Sequence, residues 1–159
     1  MPRDLTPSPL LVQVADLLPP GRALDLACGA GRNALYLAAL GWHVTAADSD
    51  SAAIAALRAA SPSVDARIAD LERHEFDIEP AAYDLICDFY YLQRDLFPQI
   101  RNGIRPGGLF AGTILLTGTY ALVSGELRAL FAGWKILYYS ESPDPSHPRR
   151  SASILARHA

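Results

Sequence analysis

Short apolar runs alternate along the chain with stretches in which apolar positions recur every three or four residues. The first kind reads as buried strands and the second as amphipathic helices. A first helix is predicted over residues 9–18 and stops at Pro19-Pro20-Gly21. Strands are predicted at 23–27, 43–47, 65–69, 83–88, 109–116, 134–139 and 151–156. Between them fall helices at 32–40, closed by Gly41, and at 52–59, with Ser49, Asp50 or Ser51 as N-cap. Residues 72–80 are polar and read as a loop or a marginal helix. Asp95 is the expected cap of a helix that ends before Pro106-Gly107-Gly108, a strong turn signal, and Ser124 the expected cap of one reaching residue 132. Strand–helix alternation implies a doubly wound, mostly parallel α/β sheet covered on both faces. No helix fits between the last two strands, which therefore form an antiparallel hairpin.

Composition narrows the function classes. At 159 residues the chain is expected to be one domain, 1–159, with a short helical segment over 1–20. Half of it is hydrophobic, and the formal net charge is −3. That balance offers no track for nucleic acid. No apolar run approaches the roughly 20 residues of a membrane span, and the N-terminus shows no leader pattern, so the cytoplasm is the expected compartment. Cys28 and Cys87 stand far apart, each beside or within a strand pattern, and read as neither a disulfide framework nor a metal knuckle.

The chemistry concentrates where the first strand ends. Ala23-Leu-Asp-Leu-Ala27 runs into Cys28 and then the Gly29-Ala-Gly31 turn, and a helical pattern starts at once. Glycines let the backbone turn tightly and approach a ligand, and the new helix leaves N–H groups aimed at it. Asp48 stands at the tip of the second strand, where a carboxylate accepts from both hydroxyls of a ribose. A nucleoside-containing cofactor is the implied ligand. The string Gly29-Ala-Gly-Arg-Asn-Ala34 also satisfies Gly-x-Gly-x-x-Ala, so a nicotinamide oxidoreductase stays open at this point.

Leu24-Asp-Leu-Ala-Cys-Gly-Ala-Gly31, Asp48, Asp70-Leu71, Asp88-Phe-Tyr-Tyr91, Arg105-Pro-Gly-Gly108 and the terminal hairpin together resemble the class I S-adenosylmethionine-dependent methyltransferases. Gly31-Arg-Asn33 with Gly41-Trp-His-Val-Thr45 is similar to their tellurite-resistance (TehB-like) and thiopurine subgroup. The resemblance implies a Rossmann-like seven-stranded sheet of order 3214576 and S-adenosyl-L-methionine as cofactor. It assigns Asp25, Ala27, Cys28, Gly29, Gly31 and Asn33 to the methionine end, with Asp25 paired to the ammonium or holding the N–H groups of the glycine turn. It assigns Asp48 and Ser49 to the ribose, Asp70 and Leu71 to adenine, and Asp88 to the methyl-transfer site. Arg32, Tyr90, Tyr91, His147 and Arg149 are the candidates for a small-molecule acceptor. In metal-dependent catechol-type relatives an acid at the place of Asp88 binds magnesium with an acid and amide after strand five. Here that stretch reads Thr113-Ile-Leu-Leu-Thr-Gly-Thr119, so no metal is expected. The short stretch before the first strand makes a poor cover, which leaves the site open or completed by a second copy in a homodimer. A cofactor-binding protein without catalysis is the alternative of a different class.

Overall fold

A computed structural model describes residues 4–141 and 149–159. The elements run α1 (Pro9–Val14), β1 (Arg22–Leu26), α2 (Arg32–Ala39), β2 (His43–Asp48), α3 (Ser51–Ala60), β3 (Asp65–Ile68) and β4 (Tyr83–Phe89). A 3-10 turn (Arg94–Leu96) leads into α4 (Phe97–Gly103), then β5 (Ile104–Leu115), α5 (Glu126–Leu130), β6 (Lys135–Ser140) and β7 (Ser151–Arg157). One seven-stranded sheet forms in the order β3-β2-β1-β4-β5-β7-β6, as expected. All pairings are parallel except those of β7 with β5 and β6.

Both sheet faces are sealed. On one face Leu37 of α2, Trp42 just ahead of β2, and Ile54 and Leu57 of α3 pack with Leu11 and Val14 of α1. On the other Phe97, Phe110 and Phe131 form an aromatic nucleus, Phe110 and Phe131 stacking at 4.5 Å between centroids. The polar stretch 72–80 forms no regular helix, but it sends Phe76 and Ile78 into this core.

Local signals failed where a long-range partner intervened. α1 ends at Val14, short of residue 18. β5 begins at Ile104, so Pro106-Gly107-Gly108 lies inside the strand rather than before it. Gly107 takes a φ of +85° there, and the Gly107 and His158 N–H groups exchange hydrogen bonds with the His158 and Gly108 carbonyls at 2.8 and 2.9 Å. The strand thus continues through a bulge, with its register shifted between Tyr83 and Leu85 of β4. Asp95 caps nothing: it sits within the 3-10 turn, 3.7 Å from the His74 ring. Nor does Ser124 cap α5. Its hydroxyl donates to Glu141 at 2.7 Å, and Gly125, in the left-handed region, takes the N-cap place.

The chain leaves β1 toward β2 and β3, then returns to the other side of β1 to lay down β4. Sheet order therefore reverses between β1 and β4. Crevices that bind ligands open at such a reversal, outside the C-terminal strand ends.

Candidate cofactor and substrate site

At that reversal the glycine turn is held by backbone and by one carboxylate. The Cys28 N–H donates to the Ala47 carbonyl at 3.0 Å, and the Gly31 N–H to the Cys28 carbonyl at 3.0 Å. Gly29 and Gly31 have φ of +55° and +86°. A Cβ on Gly31 would come within 2.6 Å of Leu57 Cδ1, so both conformation and space require glycine there. Ala27, at the end of β1, also has a positive φ, +52°, and Tyr90, just past β4, has +67°. A residue with a Cβ costs about 1 kcal/mol in this region. The two strained residues stand beyond the ends of adjacent strands, where the Tyr90 N–H is secured by the Thr113 carbonyl at 2.6 Å.

Asp48 does more than wait for a ligand. Its Oδ2 accepts from the Gly29 N–H and its Oδ1 from the Asp50 N–H, each at 2.8 Å. Asp50 in turn caps α3, accepting from the Ala52 and Ala53 N–H groups. One carboxylate thus couples the glycine turn to the tip of β2, and each oxygen keeps acceptor capacity for a hydroxyl.

Two cavities open here, and both are lined by Ala27. One, about 260 Å³, is walled by Asp48, Ser49, Ala69, Asp70, Leu71, Glu72 and Tyr91. Tyr91 is braced: its hydroxyl donates to Gln93 Oε1 at 2.6 Å, and Gln93 Nε2 donates to the Leu71 carbonyl at 3.2 Å. Burial and the surrounding carboxylates push the Tyr91 phenol up to about 12. Asp70 Oδ1 accepts from the Glu72 N–H at 3.0 Å, which shapes the turn after β3.

The other cavity, about 210 Å³, is lined by Asp25, Cys28, Gly29, Ala30, Arg32, Asn33, Phe89 and Tyr90, with Asp4. Asp25 is 2% exposed, and its Oδ2 has no hydrogen-bond partner among the described residues. The Ala34 N–H serves the carboxylate, so Asp25 reaches the start of α2 rather than the glycine turn. Burial lifts its pKa to about 7, against the pull of the Ala34 N–H and of Arg32. A buried acid with an unserved oxygen beside a cavity calls for a cation. Burial and the charges of Asp25 and Asp48 push the Cys28 thiol far up, so it is no ready nucleophile.

The assigned residues divide accordingly. Asp25, Cys28, Gly29, Asn33, Arg32 and Tyr90 meet at one cavity, Asp48, Ser49, Asp70, Leu71 and Tyr91 at the other, and Ala27 at both. Gly31 acts through backbone shape. Asn33 is partly diverted, since its Oδ1 accepts from the Ser8 N–H at 2.9 Å. Asp88 lines neither cavity: it is 1% exposed, takes the Tyr91 N–H, and leaves Oδ1 without a partner among the described residues. Burial pushes its carboxyl well above the usual range. Arg149 also lines neither cavity and donates to the Thr117 carbonyl at 2.7 Å. His147 lies outside the described residues. Sequence reading missed Ala69 and Glu72, which flank the Asp70-Leu71 pair, and Asp4; it held Ala30 and Phe89 only as members of the glycine turn and of the stretch 88–91, without a role of their own. Adjacency could have found all but Asp4, which no local signal marks.

A sheet of this order with a glycine turn and paired cavities at its switch point is the class I methyltransferase fold. The chain belongs to the TehB family, whose model, described as tellurite resistance protein TehB, matches residues 5–148. It is 27% identical over 157 residues to a probable S-adenosyl-L-methionine-dependent methyltransferase TehB of Haemophilus influenzae, across 86% of this chain and 54% of that protein. The chain thus spans about half the length of the curated relatives it matches. The crystal structure of TehB from Haemophilus influenzae superposes with a TM-score of 0.82 at 24% identity, covering 94% of this chain and 61% of that one. A Burkholderia thailandensis 1,6-didemethyltoxoflavin-N1-methyltransferase, solved with bound 1,6-didemethyltoxoflavin and S-adenosylhomocysteine, superposes with a TM-score of 0.72 at 21% identity, covering 94% of this chain and 75% of that one. The fold and the family are those of S-adenosylmethionine-dependent methyltransferases.

Proposed function

We propose that this chain binds S-adenosyl-L-methionine and transfers its methyl group to a small-molecule nucleophile. The observation that carries the reading is the unserved, buried Asp25 oxygen at the cavity beside the glycine turn. It suits the ammonium of the methionine end. Arg32, on the same cavity, suits the carboxylate, with the first turn of α2 behind it. Asp48 would hold the ribose, and Asp70 with the Leu71 N–H would hold adenine against Tyr91. The two cavities together have the size of a cofactor pocket.

When bound, the cofactor supplies a methyl on a sulfonium sulfur, which an in-line nucleophile takes as the carbon–sulfur bond breaks to a neutral thioether. The chain's own work is alignment and exclusion of water. Ala27 and Tyr90, held in the left-handed region, fix the backbone on either side of that point. Thermal shift tests the reading: adenosylmethionine and adenosylhomocysteine are expected to raise Tm, and nicotinamide dinucleotides to leave it unchanged. The reverse pattern would make the chain an oxidoreductase. Binding without turnover over a panel of thiols and oxyanions would make it a non-catalytic cofactor-binding protein.

The acceptor is read as an electron-rich anion, a thiolate or a chalcogen oxyanion, in line with the tellurite resistance for which the family is named. Arginine's rigid fork of donors suits oxyanions. Arg149 lines neither cavity but stands just ahead of β7, which pairs with the C-terminal end of β5, so it would meet the acceptor outside the cavities: Arg149→Ala is expected to lower kcat/KM for such an acceptor at unchanged adenosylhomocysteine affinity. Normal turnover would favour a neutral acceptor between Tyr90, Tyr91 and Tyr120.

Activity is expected to survive EDTA. Among the described residues no three His, Cys, Asp or Glu side chains gather as a ligand set, and Thr113, not an acid, stands level with Phe89 on β5. A loss of activity that magnesium restores would assign Asp88 to a metal instead.

A further inference from the structure

We infer that residues 4–8 belong to the cofactor site and that Asp4 is a specificity-determining residue, selecting ligands that end in a free amino-acid group. The stretch precedes α1, within the segment ahead of the first strand that was expected to make a poor cover. It is nevertheless fastened across the start of α2. The Ser8 N–H, in a residue only 2% exposed, donates to the buried Asn33 side chain at 2.9 Å. Arg32 Nη1 donates to the Thr6 carbonyl at 3.4 Å. Behind it, α1 is rooted in the core by Leu11 and Val14, each 1% exposed. The Thr6 N–H then donates to Asp4 Oδ1 at 2.9 Å, which fixes the turn that presents the Asp4 carboxylate.

Asp4 so placed lines the same cavity as Asp25 and Arg32. The three differ in depth: Asp25 is buried with an orphaned oxygen, Arg32 is half-buried, and Asp4 is exposed at the rim. Two acids and one arginine form an arrangement of alternating sign. A zwitterionic amino acid complements it, its ammonium drawn to the two acids that share the cavity and its carboxylate to Arg32. A nucleoside thioether without that end gains nothing from it. Asn33, assigned to the cofactor from sequence, becomes a positioning residue that holds the strap.

The proposal rests on the cofactor reading above and deepens it. The test is calorimetry on the whole chain and its Asp4→Asn variant, with adenosylhomocysteine and with 5′-methylthioadenosine, which shares the adenosine and thioether but lacks the amino-acid end. Asparagine keeps an acceptor for the Thr6 N–H, and the site is exposed, so the fold is retained. Adenosylhomocysteine affinity is expected to fall by about twofold to tenfold at low salt. The difference should shrink as salt screens the rim charge. Methylthioadenosine affinity is expected to stay constant. Unchanged adenosylhomocysteine affinity, or an equal loss for both ligands, would overturn the proposal. Failure of the unaltered chain to bind either ligand would overturn the cofactor reading itself, and the proposal with it.

Discussion

Asp25→Asn is expected to make the free protein more stable at pH 8 while weakening adenosylhomocysteine binding by at least tenfold to a hundredfold. Both effects have one cause. Asp25 is buried, one of its oxygens lacks a partner, and its pKa stands near 7 instead of the ordinary 3.8. A carboxyl whose pKa is raised on folding holds its proton more tightly in the folded state. Its contribution to stability is full below about pH 4 and is lost as pH rises through about 7. A rise of roughly three units corresponds to a loss of about 4 kcal/mol by the alkaline end. The amide is neutral at all these pH values and evades that loss, though its own N–H₂ needs an acceptor and offsets part of the gain. Denaturant melts of the two proteins from pH 4 to pH 8 check the sign: the curves should lie close together in acid and separate as pH rises. Variants of equal stability at pH 8 would mean that Asp25 is solvated in the free protein. The affinity loss follows because the amide cannot neutralise an ammonium. The cofactor's own affinity should likewise weaken below pH 7, as Asp25 takes up its proton. Destabilisation of the free protein by a group that serves the ligand is the usual mark of a site kept for function.

Asp48→Ala is expected to reduce adenosylhomocysteine affinity by about tenfold to a hundredfold, from the loss of charge-assisted bonds to two ribose hydroxyls. It should also lower stability by about 1 kcal/mol. The Gly29 and Asp50 N–H groups, each 2.8 Å from this carboxylate, would turn to water instead. Asp48→Asn separates the two roles, since its amide oxygen can still accept from the glycine turn. Isothermal calorimetry and melts on both variants test this. Unchanged affinity in the alanine variant would remove Asp48 from the site and leave it as a turn lock alone.

Much of the fold was legible because burial leaves a period in the sequence. Apolar runs bounded by turn residues located all seven strands, and the missing helix before β7 revealed the hairpin; the order 3214576 was implied by the family resemblance that the motifs carry. The cofactor class was legible for a similar reason. A tight turn, a helix start and an acid at the next strand tip are local requirements, and Gly29, Gly31, Asp25 and Asp48 meet them within one strand–helix–strand unit. Local signals misled where a partner distant in sequence outbid them. Pro106-Gly107-Gly108 stays in β5 because His158 pairs across it, and Ser124 gives its hydroxyl to Glu141 instead of capping α5. Asp88 matched a motif, yet it lies beneath the cavities rather than on their walls.

What the chain's order of residues determined by itself, then, was where the strands, the terminal hairpin and the cofactor turn fall, each of which depends on neighbours a few positions away. The tertiary structure decided which oxygen of Asp25 goes unserved, that Asp48 clasps Gly29, that Ala27 and Tyr90 accept left-handed backbone, and that Asp4 reaches the rim. Those outcomes depend on strand register and on how the stretch before α1 crosses α2, and pairings between remote segments leave no period in a sequence.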